Sequence, residues 1–390
     1  MYRPACGPRG GEPHRVRAGG PDGPRGVPVS EARRRTVLLG ASGWIGQHFA
    51  RLLDDHPYFD SPILTGATSA GKSLGELWQL ADQPVPQGLA ESKIERLTPA
   101  EIARRGVEVA FSALPSGEAG AFEAELARRG VAVFSNASAH RMDPQVPLVI
   151  PEINGDHLDA IERQPWEGSI VTNSNCSTAG LVLALAPLVP LLRPKEVFVA
   201  TYQALSGAGY PGVPSLSIED NVLPFIAEEE EKMERETAKI LGGFRGGRFR
   251  PLSLPVSAHC ARVGSREGHL EAVTLKAGTP AKASEIVRAW EDFQPLSPRA
   301  RGDRETLPTA PDHPVVYRRE VDRPQPIRDR WAGTPARARG MAVSVGRLRV
   351  DREHVRFFTL SHNAVRGGAG GSVLNAELAL RKGLLGGRRR

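Results

Sequence analysis

Two adjoining domains, an α/β unit built on a mainly parallel sheet and a second α+β unit, are predicted by three observations. The chain has 390 residues, more than the roughly 250–300 at which a single core stops growing. Up to Thr172, short apolar runs alternate with helical stretches. Beyond Thr172, strand-like runs follow one another without regular helical crossovers, as an α+β unit requires.

The first unit opens with the apolar strand Thr36–Leu39, the glycine turn Gly40-Ala41-Ser42-Gly43-Trp44-Ile45-Gly46 and a helical stretch, Gln47–Asp54. Strand, glycine turn and helix in that order form the opening of a Rossmann-like dinucleotide-binding unit. Apolar runs at Pro62–Gly66, Val107–Leu114 and Val131–Ser135 continue the sheet, and Pro99–Arg104 and Glu118–Arg129 supply helices to cover it. In the second unit a helix starts near Cys176 and runs through Leu181–Val189, and a strand at Glu196–Leu205 leads into Ser206-Gly207-Ala208-Gly209. Further strands are expected at Ala258–Val263, His269–Lys276, Met341–Leu348 and Val355–Leu360. The Pro-rich stretch Asp292–Arg330 reads as a surface excursion, and Gly371–Leu380 as a helix returning to the first domain. The expected division is therefore a disordered N-terminal extension, 1–34; a dinucleotide-binding domain, 35–172, completed by the C-terminal helix 363–382; and a second α+β domain, 173–362.

Composition narrows the function. The net charge of +7 comes largely from arginines in a Gly/Pro-rich head and from Arg388–Arg390, a pattern of solvated ends that gives no nucleic-acid-reading surface. No long apolar run or secretion signal is present, so a cytoplasmic protein without a membrane segment is expected. Cys6, Cys176 and Cys260 are far apart and form no CxxC pair, which suggests neither a disulfide framework nor a metal site.

Several motifs carry chemistry, each with a plainer alternative. Glycines at Gly40 and Gly43 let backbone amides approach a pyrophosphate at a helix N-terminus; a purely structural turn uses the same residues. Thr68-Ser69-Ala70-Gly71-Lys72 lies beyond the next strand, where a ribose 2′-phosphate sits and where hydroxyls and a lysine suit it; a solvated loop is the alternative. Cys176 stands between a strand and an apolar helix, so the helix N-terminus should lower its pKa and favour the nucleophilic thiolate; a lone cysteine is otherwise a buried packing residue. Cys260 fits that packing reading better. His269 can exchange protons near neutral pH and Arg262 can grip a carboxylate with two parallel bonds, although a structural histidine and a surface arginine fit as well. Glu228-Glu229-Glu230-Glu231-Lys232 opens a polar helix whose default is a solvated face, with Glu229 and Lys232 spaced to share one side.

Taken together, the motifs resemble the aspartate-semialdehyde dehydrogenase family, especially its archaeal and fungal type, over nearly all of Arg35–Leu380. The resemblance is carried by Ser112-Ala113-Leu114-Pro115, by Ser135-Asn136-Ala137-Ser138-Ala139-His140-Arg141-Met142, by Asn175-Cys176-Ser177-Thr178 and by Tyr202 to Gly212, followed by Glu229–Lys232, Arg262–His269 and His362-Asn363-Ala364-Val365-Arg366-Gly367. It implies that Cys176 is the nucleophile, that Gln203 orients the acyl intermediate and that His269 is the acid/base. It further implies that Arg262 binds the substrate α-carboxylate, Glu229 its amino group, and Arg141 and Lys232 the phosphate, with Asn175 beside the substrate. NADP or NADPH, with NAD as the possible substitute, would lie on Gly40, Ser42, Gly43, Trp44, Ile45, Thr68, Ser69, Lys72, Ser112, Ser206, Gly207 and Asn363. The resemblance also makes 173–362 a catalytic and dimerisation domain, through which a homodimer or homotetramer is built.

The implied reaction is attack of Cys176 on L-aspartyl-4-phosphate, loss of phosphate, and reduction of the thioester to aspartate 4-semialdehyde, with oxyanion donors near Asn175 and Cys176. Three positions depart from the pattern. Ser42-Gly43-Trp44 reshapes the pyrophosphate turn, Thr68 stands where an arginine often favours NADP, and Gly264-Ser265 replaces a proline-containing turn, adding flexibility. The rivals are reductases of N-acetylglutamyl phosphate or malonyl-CoA and a noncatalytic nucleotide-binding regulator; the joint presence of Cys176, Gln203 and His269 weighs against the last.

Overall fold

A computed structural model of the chain describes residues 33–293 and 307–385. The extension expected at 1–34, with Cys6, lies almost wholly outside these residues. Its last two do not: Arg34 donates its backbone N–H to Tyr58 and its guanidinium contacts Glu108, so the fold begins slightly before Arg35.

The first domain runs β1 (Thr36–Leu39), α1 (Trp44–Leu53), β2 (Ile63–Thr65), α2 (Pro99–Arg104), β3 (Val109–Ser112), α3 (Ser116–Arg128), β4 (Ala132–Ser135), α4 (Pro151–Asn154) and β5 (Ser169–Thr172). The strands pair in parallel in the order β2-β1-β3-β4-β5. Most are buried along their whole length, as expected where helices cover both faces of a sheet. The expected strands and helices are all present. α1, however, starts three residues before the expected Gln47, because Gly43 has the extended backbone of an N-cap and releases Trp44 directly into the helix. Local signals set α2: Thr98 and Glu101 form a reciprocal capping box and Pro99 opens the helix.

The second domain contains α5 (Cys176–Leu185), α6 (Leu188–Leu192), β6 (Glu196–Gln203), α7 (Ser215–Ile218), α8 (Glu229–Ile240), β7 (Gly243–Arg245), β8 (Arg248–Arg250), β9 (Val256–Arg262), β10 (His269–Lys276), α9 (Ala283–Glu291), β11 (Val315–Arg318), α10 (Pro326–Asp329), β12 (Val343–Val350) and β13 (His354–Ser361). Its main sheet is mixed, in the order β11-β12-β13-β10-β6-β9. One face packs Val197, Val199, Val273, Leu275 and Phe357 against α5, α6, α8 and α9. The single helix expected through Leu181–Val189 is two, since Pro187 supplies no N–H and ends α5 before it.

The surface excursion expected at Asp292–Arg330 is corrected. Residues 294–306 lie outside the described residues, but Leu307, Thr309 and Ala310 are buried, and β11 adds a parallel edge strand beside β12. Proline-rich composition is compatible with both an edge strand and a loop. The C-terminal helix, α11 (Gly370–Arg381), packs Val373, Leu374, Ala376 and Leu378 in one core with Phe49, Phe111 and Phe134 of the first domain.

Candidate active site

Cys176 is the first residue of α5, and Asn175 caps that helix by accepting from the amides of Ser177 and Thr178 at 2.9 and 3.0 Å. Gly367 packs so closely behind Cys176 that an added Cβ would stand 2.6 Å from its Cα. His269 begins β10, and its Nε2 lies 3.2 Å from the sulfur. The other ring nitrogen, Nδ1, accepts the backbone N–H of Ala204 at 3.0 Å. A backbone amide can only donate, so a neutral ring carries its proton on Nε2, directed at sulfur.

Glu229 collects the surrounding donors. Its Oε1 accepts from Asn175 Nδ2 at 2.9 Å, Gln203 Nε2 at 3.0 Å and Ser177 Oγ at 3.3 Å. The solvated face expected for the Glu228–Lys232 run holds for exposed Glu228 and Glu231 and is corrected for Glu229, which helical periodicity turns inward. Arg262 is buried beside this group and donates to Ala204 O at 2.8 Å. Gly207 approaches so closely that a Cβ there would lie 2.5 Å from the Arg262 guanidinium. Cys176, Gln203, His269, Asn175, Glu229 and Arg262 are thus brought together.

Arg141 and Lys232 occupy an adjoining place. With Ser138 and Arg235 they line an open cavity of about 380 Å³. Lys232 pairs with Glu228 at 3.1 Å, and Arg141 with Glu236 at 2.9 Å. Glu236 joins the two regions, since its second oxygen accepts the Asn175 backbone N–H at 2.6 Å. That bond occupies the Asn175 backbone N–H, one of the groups near Asn175 and Cys176 where oxyanion donors were expected, while the His269 Nε2–H faces the sulfur. Lys239 supports the same wall through bonds to the carbonyls of Arg141, Asp143 and Val146. Sequence reading missed Glu236 and Lys239; the available signal was their i+7 and i+10 spacing from Glu229, which places all three on the inner side of α8. A larger cavity, about 620 Å³, lies at the opposite ends of the parallel strands among Gly130, Ala132 and Ser169. It is away from the carboxyl ends where such sheets bind ligands.

The acidic thiol expected at the helix N-terminus is corrected. Burial, followed by the charge of Glu229, pushes Cys176 up to about 12 despite the opposing pull of Arg141 and Arg262. The residue remains partly accessible, but the pocket walls strip water from sulfur, and Asn175 already satisfies two helix-terminal amides. Burial, then Arg262, lowers His269 to about 3. The resting pair is a neutral thiol and a neutral imidazole. Cys260, in contrast, packs against Met233 within the core.

The first-domain positions expected to hold the cofactor gather at the carboxyl ends of the parallel strands. Gly40 has φ +74°, and a Cβ on Gly46 would stand 2.2 Å from Gly40 O, so the turn and the close start of α1 both require glycine. Among the described residues no side chain caps α1, leaving the amides after Gly43 available to an anion. Ser42 bonds Ser69 at 2.9 Å, while Thr68 and Lys72 are exposed on the same loop. Trp44 and Ile45 are half-buried at the start of α1, and Ser112 is buried at the end of β3. Asn363 donates to Ser206 at 2.9 Å beside exposed Gly207. The flexibility expected of Gly264-Ser265 is countered because the carbonyls of Ser265 and Arg266 accept the amides of Leu205 and Ser206.

The chain matches the semialdehyde dehydrogenase NAD-binding domain over residues 35–161 and the semialdehyde dehydrogenase dimerisation domain over residues 185–366. It is 44% identical over 357 residues to an aspartate-semialdehyde dehydrogenase of Archaeoglobus fulgidus, covering 89% of this chain and 98% of that one. It is also 37% identical over 370 residues to a malonyl CoA reductase (NADP) of Metallosphaera sedula, covering 90% and 99% respectively. The solved aspartate semialdehyde dehydrogenase of Candida albicans with NADP aligns at a TM-score of 0.78 and 33% identity, over 90% of this chain and all of that one. With both domain types in sequence and the shared fold spanning them, the chain belongs to the aspartate-semialdehyde dehydrogenase family of the archaeal and fungal type.

Proposed function

We propose that this chain reduces L-aspartyl-4-phosphate to L-aspartate 4-semialdehyde through a Cys176 acyl-thioester, in cytoplasmic biosynthesis of aspartate-family amino acids. The carrying observation is the 3.2 Å Cys176–His269 contact inside the cluster that also contains Gln203, Glu229 and Arg262. The substrate's ammonium would neutralise Glu229, removing a charge that opposes thiolate formation. Arg262 suits the α-carboxylate, while Arg141 and Lys232 suit the phosphate.

Sulfur attacks the acyl carbon, the carbon–oxygen bond to phosphate breaks, and the thiol proton leaves on the phosphate. His269, with Nε2–H toward sulfur, serves this step as a donor that steadies the thiolate and then the oxyanion. Service as a proton acceptor at Nε2 would require that ring to surrender the Ala204 bond. When bound, the nicotinamide cofactor supplies the hydride that reduces the thioester. The resulting oxyanion collapses to the aldehyde and expels the Cys176 thiolate, which the His269 donor receives.

The residues of the glycine turn fit a dinucleotide, given their crowded glycines and the uncapped α1 terminus. Ser69 and Lys72 favour NADP, and Thr68 leaves the preference modest. The oligomer proposed is a homodimer or homotetramer formed through the second domain. The deciding assay follows oxidation of aspartate semialdehyde by the purified protein with phosphate and either NADP or NAD. Phosphate-dependent turnover, faster with NADP and lost in Cys176→Ala, is expected. Turnover of malonyl-CoA with NADPH but none of aspartate semialdehyde would transfer the reading to the other substrate.

A further inference from the structure

A second buried polar cluster lies where α1 of the first domain meets the loop ending in His269. From α1 come His48 and Arg51; from the second domain come Glu267, Arg330, Trp331 and His362. His48, Glu267 and His362 are all almost completely buried. Glu267 Oε1 is 3.4 Å from His48 Nε2, while Oε2 is 3.6 Å from His362 Nε2 and 3.7 Å from Arg330 Nε. The imidazoles meet edge to face at 5.6 Å, and Trp331 packs 4.3 Å from His362, with the Arg51 guanidinium over its ring.

These contacts exceed normal hydrogen-bond lengths, and neither imidazole has a hydrogen-bond partner among the described residues. Charge and packing therefore hold the cluster. Burial lowers the pKa of both histidines. The Glu267 carboxyl faces Arg330 and lies within electrostatic reach of Arg51, and Asp82 contacts Arg330 from the other side at 3.5 Å. A buried anion between cations fixes their separation more strongly than the same contact in water.

The cluster connects directly to the chemistry. Glu267 precedes Gly268, whose φ is +94° and whose N–H donates to Asn363 at 2.9 Å. His269 follows, and Asn363 continues to Ser206. We infer that Glu267 is a positioning residue for hydride transfer, tying cofactor helix α1 to the backbone that presents His269 and Asn363. This rests on the dehydrogenase reading above and adds a residue assigned no part in it.

The test is Glu267→Gln, which retains shape and removes charge. With aspartate semialdehyde, phosphate and NADP, hydride transfer is read as the pre-steady-state burst of NADPH, using normal and aldehyde-deuterated substrate. The burst should slow roughly tenfold or more, as expected for misaligned reactants, and the deuterium effect should enter kcat. KM for semialdehyde and phosphate, and the rate of Cys176 alkylation, should change less than about twofold. Glu267→Asp should restore part of the burst. An unchanged burst, or parallel loss of alkylation and binding, overturns the assignment. If Glu267→Gln fails to fold, His48→Leu and Arg51→Leu, made singly, remove the two α1 side chains of the cluster, and at least one must show the same slowed burst; an unaffected burst in both overturns it. A wild-type protein without turnover defeats the dehydrogenase reading instead, so the two failures are distinguishable.

Discussion

At Cys176 the immediate neighbours outweigh the helix terminus on which the thiol stands. The dipole effect falls off within one turn and is worth at most a few tenths to about 2 kcal/mol, whereas burial and Glu229 raise the thiol to about 12. Alkylation of Cys176 should consequently accelerate about tenfold per pH unit from about pH 7 to 10, since thiolate remains the minor form throughout. Mass-spectrometric rates with iodoacetamide provide the measurement; a plateau below pH 9 would show that the free thiol is already acidic. Cys176 was legible as the candidate nucleophile because it stands at a strand-to-helix junction within Asn175-Cys176-Ser177-Thr178. Its pKa was not, because Glu229, Arg141 and Arg262 reach it only through the tertiary fold. Glu236 was hidden for the same reason: an acidic residue on a charged helix carries no mark that it will bond the Asn175 amide.

Along the second sheet, the inward face changes character by layers. His269, Gln203, Arg262 and Ser361 form the reactive layer, while Glu271, Thr201, Cys260 and Thr359 form the next, held in register by strand pairing. Below them the face becomes aliphatic. Alternation along His269–Lys276 made that strand legible, but it could not reveal an acid sealed beneath the site. Both Glu271 oxygens lack hydrogen-bond partners among the described residues, and burial, then Glu229, raises its pKa well above the ordinary value. The folded protein therefore retains a proton that the unfolded chain releases. Stability from that proton is fully present below the ordinary glutamate pKa and is lost as pH rises toward the folded value. Glu271→Gln keeps the neutral shape without this loss, so its melting temperature should exceed wild type by roughly 2 °C or more at pH 8. The advantage should shrink toward pH 4.5. Thermal melts at both values test it, and an equal difference at the two would remove Glu271 titration as the cause.

For the whole molecule, the order of apolar runs was enough to divide the chain into two units, but composition misread how the units are completed. Asp292–Arg330 looked external because prolines interrupt it; Leu307 and Ala310 enter the first core, and Val315–Arg318 edges the second sheet. Pairing distant in sequence is decided by shape, which composition does not record. Among the described residues, part of one face of the same sheet is left exposed. Phe198 and Tyr202 are each 41% exposed, and Ala200, Ala272 and Phe358 share their face through the strand register. Such a contiguous apolar surface on a domain of the dimerisation type is the feature that a second copy would bury. In a twofold interface each aromatic serves on both sides, so a charge placed there is introduced twice and loses water on association. The double change Phe198→Glu and Tyr202→Glu should weaken self-association by about 2 kcal/mol or more, roughly thirtyfold in dissociation constant. Sedimentation at several concentrations distinguishes the outcomes: a shift toward monomer while the melting transition remains cooperative assigns the interface to this face. An undiminished oligomer with both glutamates in place would assign it elsewhere.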